Sequence, residues 1–122
     1  MNVLIIENSK LLRERYTRIL SSIIGIEMLT LTSISAKSMQ FIKANKPEAV
    51  IIAQELTSED YQSRIQEIRD IQSSTIIILL TSNPYSQMQK LGEKWGADYV
   101  LDKSSDFDKL PEIFENFHTA KS

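Results

Sequence analysis

The chain of 122 residues contains no cysteine. Disulfide bonds, thiol catalysis and cysteine zinc sites are therefore excluded. There is one histidine, His118, and a single imidazole cannot build a metal site. A solvated residue at a helix end is the expected role for it. Three glycines and three prolines leave no Gly- or Pro-rich linker, so one domain is expected over residues 1–122. They also leave no Gly-rich phosphate loop and no nucleophile elbow, so nothing supports a plain enzyme. An excess of charge is missing too: 14 Lys and Arg against 16 Asp and Glu give a net charge of −2. That balance gives no reason to expect nucleic acid or an anionic membrane as partner.

Long apolar runs are absent as well. The longest later aliphatic run, Ile76 to Leu80, is far short of the roughly 20 residues of a membrane span. The first, Val3 to Ile6, is cut by Glu7, so no signal peptide is expected. A cytoplasmic protein with Met1 as a native start is the expectation.

What is present is an alternation. Val3–Ile6, Ile26–Leu31, Ala49–Ile52, Ile76–Leu80 and Tyr99–Leu101 read as strands. The first, third and fourth are nearly all apolar, as strands covered on both faces must be. Between them lie amphipathic segments. Leu11, Leu12, Tyr16, Ile19, Leu20, Ile23 and Ile24 recur at helical spacing, and Gly25 follows as a stop. Lys10, Arg13, Glu14, Arg15 and Arg18 then form a solvated face. A second helix is expected from Ser35 to Asn45, before Pro47, and a third from Ser58 to Ile71 with Ile65, Ile68 and Ile71 aligned. Asn83-Pro84 reads as the start of a fourth, with Met88, Leu91 and Trp95 inward and Gly96 ending it. A fifth reaches about Phe117, with Leu110, Phe114 and Phe117 inward and Pro111 in its first turn.

Strand and helix alternating five times imply an α/β fold: a doubly wound, five-stranded parallel sheet with helices on both faces. Ligand sites in such sheets lie outside the carboxyl ends of the strands. That directs attention to Glu7 and Asn8, Ala53 to Thr57, Thr81 and Ser82, and Asp102 to Ser104.

In those places the chain resembles a known family. Val3-Leu4-Ile5-Ile6-Glu7-Asn8-Ser9, Pro47-Glu48-Ala49-Val50-Ile51-Ile52, Ile78-Leu79-Leu80-Thr81-Ser82 and Gly96-Ala97-Asp98-Tyr99-Val100-Leu101-Asp102-Lys103 are similar to the four signature segments of bacterial response-regulator receiver domains. The resemblance runs in order over essentially the whole chain. It implies a CheY-like, flavodoxin-like fold with strand order 2-1-3-4-5, and a role in two-component phosphorelay signalling. In the family an acidic pair and an aspartate hold magnesium. The aspartate attacks phosphorus, while the metal and a lysine neutralise the phosphoryl oxygens. A hydroxyl after the fourth strand then biases two conformations.

Carried over, Glu7 and Asn8 take the acidic pair, Ala53 the phosphoacceptor position, Thr81 the hydroxyl and Lys103 the lysine. Thr57 and Ser104 stand where the family has prolines, and Val100 where it has the switch aromatic. Tyr99 is one step away, and one step in a strand reverses the face. A methyl group cannot be phosphorylated, and with several positions departing together the site reads as natural degeneration.

The expected function is therefore a phosphorylation-independent pseudo-receiver that acts by binding another signalling protein or itself. The alternative is a phosphotransfer receiver using another acceptor, Glu55 or Ser58. No cofactor is expected. Magnesium wants carboxylates, and the only candidates are Glu7 and Glu55. Glu55 is expected to point to solvent, and Glu7 and Lys103 to form an ion pair in the vacant site. The output face is expected on the fourth helix, fifth strand and fifth helix. Tyr85, Gln87, Lys90 and Lys94 would turn outward near Asp106 and Asp108 of the next helix. Those charges suit a two-fold homodimer contact, or are simply solvated.

Overall fold

The computed structural model describes residues 1–121 except 83, 84 and 107, and leaves out the side chains of residues 85, 86 and 117–121. The Asn83-Pro84 helix start and the side chains of Tyr85, Phe117 and His118 thus lie outside the described residues.

Five strands alternate with five helices among the described residues. In chain order these are β1 (Asn2–Ile6), α1 (Lys10–Ser21), β2 (Glu27–Leu31), α2 (Ala36–Asn45), β3 (Ala49–Ile52), α3 (Ser58–Ile71), β4 (Ile76–Thr81), α4 (Tyr85–Trp95), β5 (Tyr99–Asp102) and α5 (Lys109–Lys121). All pairings are parallel, in the order β2-β1-β3-β4-β5. This is the expected topology.

Alternation along the strands divides the core in two. Val3, Ile5, Ile51, Ile78 and Leu101 face Tyr16 and Leu20 of α1 and Leu110 and Phe114 of α5. Leu4, Ile6, Ile52, Leu79 and Val100 face Met39 and Ile42 of α2, Tyr61, Ile65 and Ile68 of α3, and Met88 of α4. Two helices therefore cover one face and three the other. Burying a Leu, Ile or Phe side chain stabilises by about 1.5–3 kcal/mol, so these two layers carry the fold.

Each of the first three helices starts on a hydroxyl cap. Ser9 accepts the N–H of Leu12 at 3.3 Å, Ser35 and Ser38 form a capping box, and Thr57 accepts the N–H of Asp60 at 3.1 Å. Thr57, where a proline was expected from the family, is thus the N-cap of α3, with Glu59 and Asp60 in the first turn complementing the helix dipole. Past the end of α4, Gly96 adopts φ 103°, a backbone state that side chains disfavour.

Three inward assignments fail. Leu11 is 74% exposed and Ile24 88% exposed, because α1 ends at Ser21 and Leu11 sits in its open first turn. Leu91 is 37% exposed, because α4 meets the sheet through Gly92 instead. A β-carbon at Gly92 would collide with a Val100 methyl. That approach fills the space beside Val100 with helix backbone. Tyr99, on the opposite face of β5, is 43% exposed.

Candidate functional site

The carboxyl ends of the strands gather the four expected residues. Ala53 follows β3, and its N–H donates to the Ile6 carbonyl at 2.9 Å. Thr81 closes β4, and its carbonyl accepts the N–H of Lys103 at 2.9 Å. Strand alternation then separates the edge into two halves.

The first half is ionic. The Glu7 side chain is 1% exposed, and its Oε2 lies 2.7 Å from Lys103 Nζ. That contact is an ion pair rather than an aligned hydrogen bond. The aligned bond from Lys103 Nζ goes to the Ala53 carbonyl, at 2.5 Å. Glu7 Oε1 accepts the N–H of Ser9 at 3.1 Å, and Arg13 binds the Glu7 carbonyl at 2.6 Å. Asn8 is exposed. Ala53 is fully buried, with its methyl in the core layer under α1 and α5. The lysine thus bridges the acid to the backbone of Ala53, the position where the receiver domains that the chain resembles carry a carboxylate.

The second half was not legible in advance. Glu55 is exposed, as expected, but its carboxylate is turned over the end of β4, where it accepts hydrogen bonds. Oε2 accepts the Thr81 hydroxyl at 2.9 Å and the Tyr61 hydroxyl at 3.4 Å. Oε1 accepts the Ser82 N–H at 2.7 Å and the Ser82 hydroxyl at 3.2 Å. The physical reason is a surplus of donors. Thr81 is fully buried, and a buried hydroxyl without an acceptor costs about 1–3 kcal/mol. Burial pushes the Tyr61 phenol up to about 12, and the adjacent Glu55 charge adds to the shift. Tyr61 also stacks on Trp95 of α4, with ring centroids 5.5 Å apart and planes 15° from parallel. Burial, helped by Glu7, likewise raises Tyr16 to about 12.

These donors do not fit magnesium. Among the described residues no three His, Cys, Asp or Glu side chains lie together as metal ligands. Glu7 is committed to Lys103, the Ala53 carbonyl already accepts the lysine, and Glu55 faces hydroxyl and amide hydrogens. A hard cation needs several free oxygens.

The loop after β5 is held by its own carboxylates. Asp102 accepts the hydroxyl of Ser104 at 2.6 Å and its N–H at 2.8 Å. These bonds hold its carboxyl below the ordinary range. Ser104, where the family has proline, thereby closes the turn. Asp106 accepts the N–H of Asp102 at 3.0 Å and pairs with Lys109 at 3.0 Å, and both lower its pKa. Asp106 and Asp108 precede α5 rather than lying on it. Asp106 is turned into the loop; Asp108, Gln87, Lys90 and Lys94 are exposed.

The family model described as "Response regulator receiver domain" matches residues 3–115. The chain belongs to the response-regulator receiver domain family. It is similar to a probable C4-dicarboxylate response regulator, DctR, of Priestia megaterium, with 23% identity over 118 residues. That match covers 96% of this chain and 51% of DctR, so the chain spans about half of its curated relative. Among solved structures it is similar to HP1043, an orphan response regulator of H. pylori. The TM-score is 0.80 at 20% identity, covering 95% of this chain and 94% of that one. It is also similar to the signal receiver domain of the putative response regulator NarL from Mycobacterium tuberculosis. There the TM-score is 0.78 at 18% identity, covering 95% and 94%. No described helix is long and apolar enough to cross a membrane.

Proposed function

We propose that this receiver domain works in two-component signalling without being phosphorylated, through contact with another protein. One observation carries the reading. The phosphoacceptor position is Ala53, a buried methyl with no lone pair, and Lys103 is occupied by Glu7 and the Ala53 carbonyl. Nucleophilic attack on phosphorus needs a carboxylate there, and charge neutralisation needs a lysine that is available. The domain would need no magnesium and act in the cytoplasm. Neither nucleic acid nor membrane is its proposed partner.

The output face would comprise α4, β5 and α5. Its exposed residues include Gln87, Lys90, Leu91, Lys94 and Tyr99. With Asp106 tied into its own loop, the acidic side of the expected two-fold contact is reduced to Asp108, with Glu112 in the first turn of α5 as a further exposed carboxylate. A heterologous partner with an acidic surface therefore suits this basic stripe better than a second copy does.

A second reading is favoured by the position of Glu55, a carboxylate at the functional edge that could itself accept phosphate. Against it, both Glu55 oxygens already accept hydrogen bonds. Ser58, at the exposed start of α3, is a weaker acceptor. Incubation with acetyl phosphate and magnesium, followed by intact mass, tests both readings. An unmodified chain supports the first; a stoichiometric phosphoryl adduct on Glu55 or Ser58 supports the second.

A further inference from the structure

The hydrogen bonds to Glu55 have the form of an anion complex. Among the described residues, donors from three residues converge on one carboxylate: the Thr81 hydroxyl and, shared with the Gln54 carbonyl at 3.3 Å, the Tyr61 hydroxyl on Oε2, and the Ser82 N–H and hydroxyl on Oε1. Two of these residues are at most 1% exposed. Packing therefore places these two side chains before any ligand arrives, which favours binding, and the ligand orients their hydroxyl hydrogens. Hydrogen bonds to an ionised acceptor are about twice as strong as neutral ones. The occupant comes from the chain itself, on the short loop between β3 and α3. A tethered ligand has an effective concentration far above that of free anions.

We propose that the Glu55 carboxylate is the resident ligand of an oxyanion pocket formed by Tyr61, Thr81 and Ser82, and that this internal ligand, rather than a diffusible anion, holds the pocket in its bound form. The proposal rests on the reading that no phosphoryl group is attached at this edge. Its chemistry is that of a carboxylate or a phosphate-class oxyanion. Filling the pocket fixes the Tyr61 hydroxyl, and the Tyr61 ring stacks on Trp95. Occupancy is thereby communicated to α4, whose residues 90, 91 and 94 form the exposed stripe. Val100 replaces the strand aromatic of the family, and the Tyr61–Trp95 stack supplies another aromatic route from the edge to that helix.

The test is chemical rescue. Wild type, Glu55→Ala and Glu55→Gln are titrated with sodium acetate and with inorganic phosphate, against sodium chloride at matched ionic strength. The readouts are the Ser82 amide resonance and the emission of Trp95, the only tryptophan. Wild type should respond to neither anion beyond chloride. Both variants should shift the Ser82 amide away from its wild-type position. In Glu55→Ala, acetate or phosphate should return it saturably, and Trp95 emission should follow. An unshifted Ser82 amide in both variants overturns the proposal, as does a shifted one that no anion returns. If Glu55→Ala does not fold, the Ser82 position in Glu55→Gln decides alone. Acetyl phosphate treatment of the same wild-type sample separates the two ideas. A phosphoryl adduct would sink the phosphorylation-independent reading, whatever the Ser82 titration gives.

Discussion

Glu55 accepts the hydroxyl of Thr81 at 2.9 Å across 26 residues of sequence. This bond joins the loop after β3 to the end of β4, where the family places its phosphoryl contact. An acid two residues past Ala53 thus accepts the hydroxyl of a fully buried threonine.

The Tyr61 phenol reports that contact. Its pKa is raised to about 12, first by burial and then by the Glu55 charge. Glu55→Gln should lower it, but not to the ordinary 10, because burial remains. Phenolate absorbance measures this, and an unchanged Tyr61 titration would place the carboxylate elsewhere. The sign for stability follows. The native chain keeps the protons of Tyr16 and Tyr61 to about pH 12, whereas unfolded tyrosine releases them near 10. Their contribution is complete below about pH 10 and is lost as pH rises toward 12. Denaturation midpoints that stay constant through that window would contradict it.

The Glu7–Lys103 pair makes a second prediction. Removing the cation alone leaves a carboxylate that is 1% exposed without its charge partner. Lys103→Met should cost about 3–5 kcal/mol in urea unfolding. Glu7→Gln combined with Lys103→Met should cost clearly less, because the stranded charge is gone. Equal losses in the single and double variants would show that the pair is not coupled.

The basic stripe on α4 makes a third. With Asp106 held by Asp102 and Lys109, wild type should sediment as a monomer at low salt, and Lys90→Glu with Lys94→Glu should stay a monomer. A salt-sensitive dimer abolished by the reversal would restore the homodimer.

The fold was legible because its signals are local. Four-residue aliphatic runs such as Ala49–Ile52 have few uses other than a strand buried on both faces. Helix periodicity was less informative at element ends. Ile24 continued the spacing on paper, but α1 had already stopped at Ser21. Ala53, Thr81 and Lys103 were placed by their positions after strands. Glu55 and Asp106 were not, because each sits in a loop. The direction of a loop carboxylate is set by donors brought from elsewhere: Thr81, Ser82 and Tyr61 for one, Asp102 and Lys109 for the other. The hint available was the excess of hydroxyl donors near a vacant acceptor.

The central claim is that the defect at position 53 disables phosphoryl chemistry. It is tested most directly by amide spectra recorded with and without beryllium fluoride and magnesium, for wild type and Ala53→Asp. The substitution adds a carboxylate at a fully buried position beside Lys103, so without metal it should lower stability by about 0.5–3 kcal/mol. Magnesium should recover part of that loss, and beryllium fluoride should move the Thr81 and Ser82 amides of the variant. The account predicts that wild type moves at neither residue. Shifts of Thr81, Ser82 and Lys103 in wild type that require beryllium fluoride and magnesium together would contradict it.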